Sequence, residues 1–368
     1  MLRSLVIKRS LSNGYQQVIF NAREDVNKLL ESQDRSSYIL AQYIPEPARD
    51  AFIAIRGFNL EINKIHGNKT GASTQLSSTM GLSTADMKFR FWNDILARIF
   101  TNPMNDSNIG EPIAILLRDA IRNDLNLDIG YFHRFLQTRK HFVENTSFST
   151  TNDICSYGEG TYSQLNYLTQ GLLLSPNISP SVIKLLEEST VLQSLVSDIS
   201  AHIGQATAIG SMILGMNFYA SQNRITLPID LMTKYDLSQE TLFRLSQGHL
   251  NDESQISEAR EQLKNILYEM ATTANDHILT ARDKLSKATT EIKDIKNNTN
   301  DELIQKQFKN WKKGVPDVIF TPFMVGIPTV LYLNKLQKND FDIFGKDLQK
   351  KEWRLAWTSF KNYYQRKI

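Results

Sequence analysis

The sequence predicts an all-α protein. Apolar residues recur at three- and four-residue intervals from Glu24 almost to the C-terminus. Ten prolines and seventeen glycines in 368 residues leave long stretches free of both, which favours helices over a turn-dense β architecture. Runs with the two-residue alternation of strands are rare.

The first residues, MLRSLVIKRSLSNGYQQVIFNAR, carry Arg3, Lys8, Arg9 and Arg23 with no acid before Glu24. On a helix, Leu2, Leu5 and Val6 separate from the basic residues. That is the composition of a mitochondrial presequence, so residues 1–23 read as a targeting segment, with a short basic tail as the alternative. Charges interrupt the apolar stretch, which excludes an ordinary secretory signal. Residues 24–345 then read as one helical domain. Helical runs at 24–33 and 36–43 break at Pro45-Glu46-Pro47. A longer helix over 48–65 sets Ala51, Phe52, Ile55, Phe58, Ile62 and Ile65 on one face. The Gly-, Ser- and Thr-rich stretch 66–83 is a loop, and FRFWNDILARIF starts the next helix. The pattern continues over 110–125, 130–145, 152–174, 179–214, 238–248 and 255–288.

Residues 289–313 are polar and lysine-rich, an insertion that is either an exposed helix or a mobile connection, and more a solvated face than a binding patch. The uncharged stretch 318–333 is shorter than the roughly 20 apolar residues of a membrane span. Pro322 and Pro328 interrupt it, so a buried, kinked helix is expected and no transmembrane segment. Residues 346–368 mix aromatic and basic side chains in an amphipathic helix, packed on the body or touching anionic lipid.

A net charge of +3 is too slight to argue for nucleic acid, and 41% hydrophobic with 22% charged residues describes an ordinary globular chain. The single cysteine, Cys155, excludes an intrachain disulfide and a multi-cysteine metal site; it reads as a structural thiol.

Three segments carry chemical information. AFIAIRGFNLEINKI, 51–65, resembles the first aspartate-rich helix of the squalene and phytoene synthases. TTNDICSYGEGTYSQLNYLTQGLL, 150–173, is similar to the helix after the polar turn in those enzymes, with Tyr157, Thr161, Ser163 and Tyr167 to one side. DISAHIGQATAIGSMILGMNFYASQNRITLPIDL, 198–231, resembles their second substrate-binding helix. The resemblance implies an isoprenoid-synthase fold with a central cavity, in which helices 48–65 and 198–219 face each other. It also implies paired aspartates that hold Mg²⁺ on a prenyl diphosphate. The positions matching those aspartates are Leu60 and Lys64 on the first helix, and Gly215 and Tyr219 on the second. No Asp occurs between Asp50 and Asp86, so a shifted register does not restore the pair.

Mg²⁺ requires hard, usually anionic oxygen ligands, and neither glycine nor a phenol supplies them. In prenyl coupling the Mg²⁺ clamps provide most of the stabilisation of the leaving diphosphate. Without them no catalytic residue, metal or cofactor is assigned. Arg56, Lys64 and Arg224 remain as direct anion contacts, unless they are surface or capping charges. Asn59, Glu61, Tyr157, Thr161, Ser163, His202, Gln205, Gly215 and Tyr219 complete the expected vestigial cavity. His202 reads as a packed residue, because no second His stands at ligand spacing.

The R-G-F-N-L-E core, H-I-G-Q-A, and the segment DFDIFGKDLQKKEWRLAWTSFKNYY at 340–364 resemble one branch of this superfamily, the mitochondrial respiratory complex I (NADH dehydrogenase) assembly factor 6 group. That branch implies a non-catalytic assembly factor on the matrix side of the inner membrane, peripherally attached. Its partners would be complex I subunits or assembly intermediates, and no nucleic acid. The alternative is a mitochondrial protein that binds an isoprenoid lipid, or a metal-independent transferase acting on one.

Overall fold

Helix starts are written locally in this chain. In the computed structural model, which describes residues 13–66, 83–105, 109–345, 347–348 and 350–368, side chains at the N-caps satisfy orphan backbone donors. Helix α1 spans Asn13–Gln33, and Asp34 caps α2, Arg35–Leu40, by accepting from the Ser37 amide. After the proline turn comes α3, Arg49–Asn63. Ser83 and Asp86 form a reciprocal capping box that starts α4, Thr84–Thr101. Helices α5, Pro112–Arg122, and α6, Ile129–Glu144, follow. A second box, Thr150 with Asp153, opens α7, Thr151–Gly160.

The expected helix 152–174 is two helices. The chain turns at Thr161, at φ −125° and ψ −84°, into α8, Tyr162–Leu173. The expected run 179–214 is also split, into α9, Pro180–Glu187, and α10, Thr190–Ser221, because the Ser189 hydroxyl caps a fresh start by accepting from Leu192. Helices α11, Ile229–Lys234, and α12, Gln239–Gln247, lead to the long α13, Glu253–Asn298.

The expected insertion 289–313 is not a separate or mobile piece. Its first ten residues are the end of α13, with Ile292 buried, and α14, Glu302–Phe308, folds back so that Gln305 bonds the Lys296 and Thr299 carbonyls. The apolar stretch then forms α15, Asp317–Phe320, a 3-10 turn over Thr321–Val325, and α16, Gly326–Lys338. By length and composition Asp317–Lys338 would suit a membrane span. Phe320, Phe323, Ile327 and Leu336 are nonetheless fully covered by protein, and the helix is interrupted at Pro322 as the sequence suggested. Helix α17, Leu355–Gln365, closes the described chain.

The architecture is helix on helix; an isolated bridge, Phe148 with Pro228, is the β feature among the described residues. Helix α10 joins two cores through its buried side chains, while Val191, Leu214 and Phe218 stay exposed. Its first half (Leu192, Val196, Ile199, Ile203) belongs to a core shared with α1 and α3–α6. Its second half (Ala206, Ile209, Ile213, Met216) belongs to another, shared with α12 and α13. Where α10 crosses α7 and α8 the backbones nearly touch: a Cβ on Gly204 would lie 2.4 Å from the Ser163 nitrogen. Glycine is required there.

The proposed domain limits fall differently on the structure. Residues 1–12 of the expected presequence lie outside the described residues, as does 67–82 of the expected loop. Within 13–23, however, Ile19 and Ala22 are core residues, Tyr15 bonds Asp119 at 3.0 Å, and Arg23 pairs with Asp50 at 2.5 Å. A boundary at 23 therefore cuts through packed α1. The C-terminal helix is likewise integrated: the Tyr363 ring packs against that of Tyr43 at 5.0 Å, tilted by 50°, and Arg366 just beyond it donates to Asp317.

Candidate functional site

The two helices singled out by sequence converge on one cavity of about 400 Å³. From the end of α3 come Leu60 and Lys64; from α10, one turn apart, come Gly215 and Tyr219. Leu60 and Gly215 thus share one cavity and do not lie on opposite outer surfaces. Its wall is completed by Arg139 of α6, Tyr157 of α7, Tyr162 at the head of α8, and His66. Among the described residues that line it there is no carboxylate.

Arg139 dominates its electrostatics. The side chain is 2% exposed. One terminal nitrogen donates to the Tyr157 hydroxyl at 2.8 Å, the other to the Asn63 carbonyl at 3.5 Å, and Nε has no partner. The guanidinium sits 5.3 Å from the Phe142 ring centre. Among the described residues no carboxylate forms an ion pair with it, although arginine stays charged at any ordinary pH. His66 feels the consequence. Burial lowers its pKa, and the charges of Arg139, Arg224 and Lys88 push in the same direction. Burial pushes the phenols of Tyr157 and Tyr162 up, so both remain hydroxyl donors.

Only some of the residues proposed from sequence reach this cavity. Lys64, Tyr157, Gly215 and Tyr219 line it. Arg56 is engaged elsewhere, donating to Ser37 at 2.7 Å beside Asp34. Asn59 is buried and accepts from Asn63; Glu61 pairs with Lys64 at 2.6 Å outside the lining. Thr161 closes onto the Tyr157 carbonyl and Ser163 onto that of Ala201, so both hold helix junctions. Gln205 reaches Glu159 at 3.5 Å, away from the cavity. Arg224 lies outside the lining and acts on it through its charge at His66.

His202 has a partner that spacing did not reveal. Its Nδ1 lies 2.9 Å from Nδ1 of His277 on α13, and the other side of that ring meets the Cys155 sulfur at 3.4 Å. The short Nδ1–Nδ1 contact requires one proton between two rings, so at least one ring is neutral. Burial lowers the pKa of both. Burial also raises that of Cys155, which keeps it a thiol. No group of three or more metal-ligating residues is found among the described residues.

Arg139, His66 and Tyr162 were missed by sequence reasoning. For Arg139 a signal existed: it falls on the apolar stripe of α6, in phase with Phe132, Phe135, Leu136, Phe142 and Val143. A cation on that stripe is buried.

The sequence profile described as squalene/phytoene synthase matches residues 30–361. Proteins described as NADH dehydrogenase (ubiquinone) complex I, assembly factor 6, are similar along most of the chain. The Bos taurus protein is 23% identical over 90% of this chain and 79% of its own length. The Homo sapiens protein is 23% identical over 88% and 76%. A Dictyostelium discoideum homolog is 25% identical over 86% and 70%. Among solved structures, a dehydrosqualene synthase superposes with a TM-score of 0.61 at 12% identity, over 96% of this chain and 97% of that one. A squalene synthase from Alicyclobacillus acidocaldarius gives 0.58 at 11% identity, over 88% and 96%. These two establish the fold alone.

Proposed function

We propose a non-catalytic role for this chain, which belongs to the squalene/phytoene synthase family: it serves as an assembly factor for respiratory complex I in mitochondria. The observation that carries the reading is the cavity itself. Where metal-binding carboxylates would converge, the two helices present Leu60, Lys64, Gly215 and Tyr219, with Arg139 behind them. A positive wall without carboxylates repels Mg²⁺. The assembly role is supported by similarity over nine-tenths of the chain to a protein bearing that name. Its partners on this reading are complex I subunits or their intermediates. Cells lacking the protein should lose assembled NADH dehydrogenase on native gels while other respiratory complexes persist, and the full chain should restore it. Normal NADH dehydrogenase in such cells would sink the proposal.

The basic N-terminus is retained as the import signal, with any cut placed before Asn13, because removal through residue 23 would take Ile19 and Ala22 from the core. Peripheral attachment to the matrix face is supported by the C-terminal end. Trp353, 82% exposed and just before α17, is followed on the helix by exposed Trp357, Phe360 and Tyr364. Lys351, Lys361 and Lys367 are exposed beside them. Aromatic rings flanked by lysines suit the headgroup region of an anionic bilayer. Replacing Trp353 and Trp357 together with serine should lower cosedimentation with anionic vesicles about tenfold while leaving the melting temperature unchanged, given roughly 1.4 kcal/mol per tenfold. Equal vesicle binding by wild type and variant would remove α17 as the contact.

A further inference from the structure

We propose that lysines of the 289–313 stretch, together with the C-terminal end of α17, bind the headgroups of an anionic phospholipid bilayer. This deepens the reading of α17 as a membrane contact and rests on it: the aromatic rings enter the headgroup layer, and the lysines attract its charge.

The polar stretch and α17 form one continuous surface. A Cβ on Gly314 would lie 3.4 Å from the Phe308 ring and 3.7 Å from the Lys293 side chain. The Lys296 ammonium stands 5.7 Å from the centre of the same ring, so the end of α13, α14 and the turn Lys312–Gly314 pack around Phe308. That turn also touches α17. Lys312 donates to the Tyr363 hydroxyl at 3.2 Å and lies 5.8 Å from the ring centre of exposed Tyr364, while Arg366 donates to the Lys312 carbonyl at 3.3 Å. Around this junction Lys293, Lys309 and Lys313 are exposed, as are Lys361 in α17 and Lys367 just past it.

The charge of these five lysines is not spent within the protein. Among the described residues none of them forms an ion pair, and Lys312 is left out of the account because Asp317 lies 3.4 Å from it. The acids of the stretch are partly engaged elsewhere. Glu291 accepts from Ser189 at 2.6 Å and Asp301 pairs with Lys184 at 2.7 Å. Only Asp294 and Glu302 of the stretch are exposed acids, and the C-terminal residue Ile368 is buried with its carbonyl bonded by Arg282 at 2.8 Å. Lys313 adds a backbone argument. It sits at φ 52° and ψ 23°, directly before Gly314 at φ 79°. Glycine would hold that left-handed position more easily, so a lysine there is kept for its side chain.

The exposed cations are lysines, compact charges on flexible stems. A folded acidic partner is better matched by the planar fork of arginine, whereas a layer of mobile headgroups is matched by diffuse positive charge. Exposed Trp353 and Trp357 favour the same occupant, because a purely ionic partner would leave their rings in water.

The test is cosedimentation of the purified full chain with vesicles of phosphatidylcholine alone and of equal parts phosphatidylcholine and phosphatidylglycerol. Wild type should prefer the mixed vesicles, and the preference should fade toward molar salt, where the screening length is about 3 Å. The triple variant Lys293→Gln, Lys309→Gln, Lys313→Gln should lose tenfold or more on mixed vesicles, since each lysine near an anionic surface contributes about fivefold. Its melting temperature and its binding to neutral vesicles should stay at the wild-type level. Lys313→Gly should melt no lower than wild type yet bind mixed vesicles several-fold more weakly, which a merely structural lysine would not do. If the triple variant does not fold, Lys313→Gly decides. Lysine variants that match wild type, while the Trp353 and Trp357 replacements weaken binding, would overturn this proposal and leave α17 as the contact. A wild-type protein that shows no salt-sensitive preference for mixed vesicles would also overturn it, and one that ignores both vesicles would remove the α17 reading as well.

Discussion

Gly204→Ala should lower the melting temperature by about 3 °C or more, measured by circular dichroism, although alanine is the better helix former. The new Cβ would meet the Ser163 Oγ at 2.2 Å, its nitrogen at 2.4 Å and its Cα at 2.7 Å. A hydroxyl can rotate away, but two backbone atoms at the head of α8 cannot. Ser163 is fully buried, and its hydroxyl already donates to the Ala201 carbonyl at 3.1 Å, so α8 and α10 are held together at this point. Overpacking of this kind costs about 3 kcal/mol or more when backbone must shift. Helix propensity returns only about 1 kcal/mol of that. The clash therefore wins by roughly 2 kcal/mol, which at the roughly 1.3 °C per kcal/mol of a chain this long gives the expected shift. Gly110→Ala is the control, because nothing lies within 4 Å of its added Cβ. A Gly204→Ala protein melting within a degree or two of wild type would show that the α8–α10 crossing is softer than its distances indicate.

The helices that build the cavity were legible for simple reasons. The 48–65 segment shows a 3.6-residue apolar face, and α10 carries a run of small and apolar residues over 203–216, so both had to pack against other helices. The breaks were harder. Thr161 and Ser189 end helices without a proline, although the Gly158-Glu159-Gly160 run before one and the capping serine at the other were available signals. The far end of α13 was hidden by its lysines. Ala288, Ile292 and Ile295 keep the apolar spacing beneath a polar face, so the chain is ordered where composition suggested an insertion.

The site was half legible, and the failures share one cause. Motif spacing identifies which helix positions meet, as with Leu60, Lys64, Gly215 and Tyr219 around one cavity. It does not say which charges from other elements arrive there. Arg139 enters from α6, and His277 reaches His202 from a helix 75 residues away in sequence. Arg56, adjacent to the motif in sequence, is instead committed to Ser37 and Asp34. Proximity in sequence selected the wrong arginine.

Purified protein should show no Mg²⁺-dependent turnover of farnesyl or geranylgeranyl diphosphate, and the double variant Gly215→Asp, Tyr219→Asp should not create any. Sterically the double change is allowed: the contact a Cβ at 215 would make is with the Tyr219 ring at 3.2 Å, and the second substitution removes that ring. The obstacle is charge. Two unit charges 4 Å apart interact by about 4 kcal/mol at the effective dielectric of such a site. The first carboxylates installed would therefore pair with Arg139 and Lys64 before they could hold a divalent ion. The double variant should gain no Mg²⁺ binding by calorimetry. Adding Leu60→Asp and Lys64→Asp removes one cation and supplies four carboxylates from two facing helices, and Mg²⁺ binding should then appear. Squalene- or phytoene-type product from the unmodified chain, abolished by chelator, would refute the non-catalytic reading.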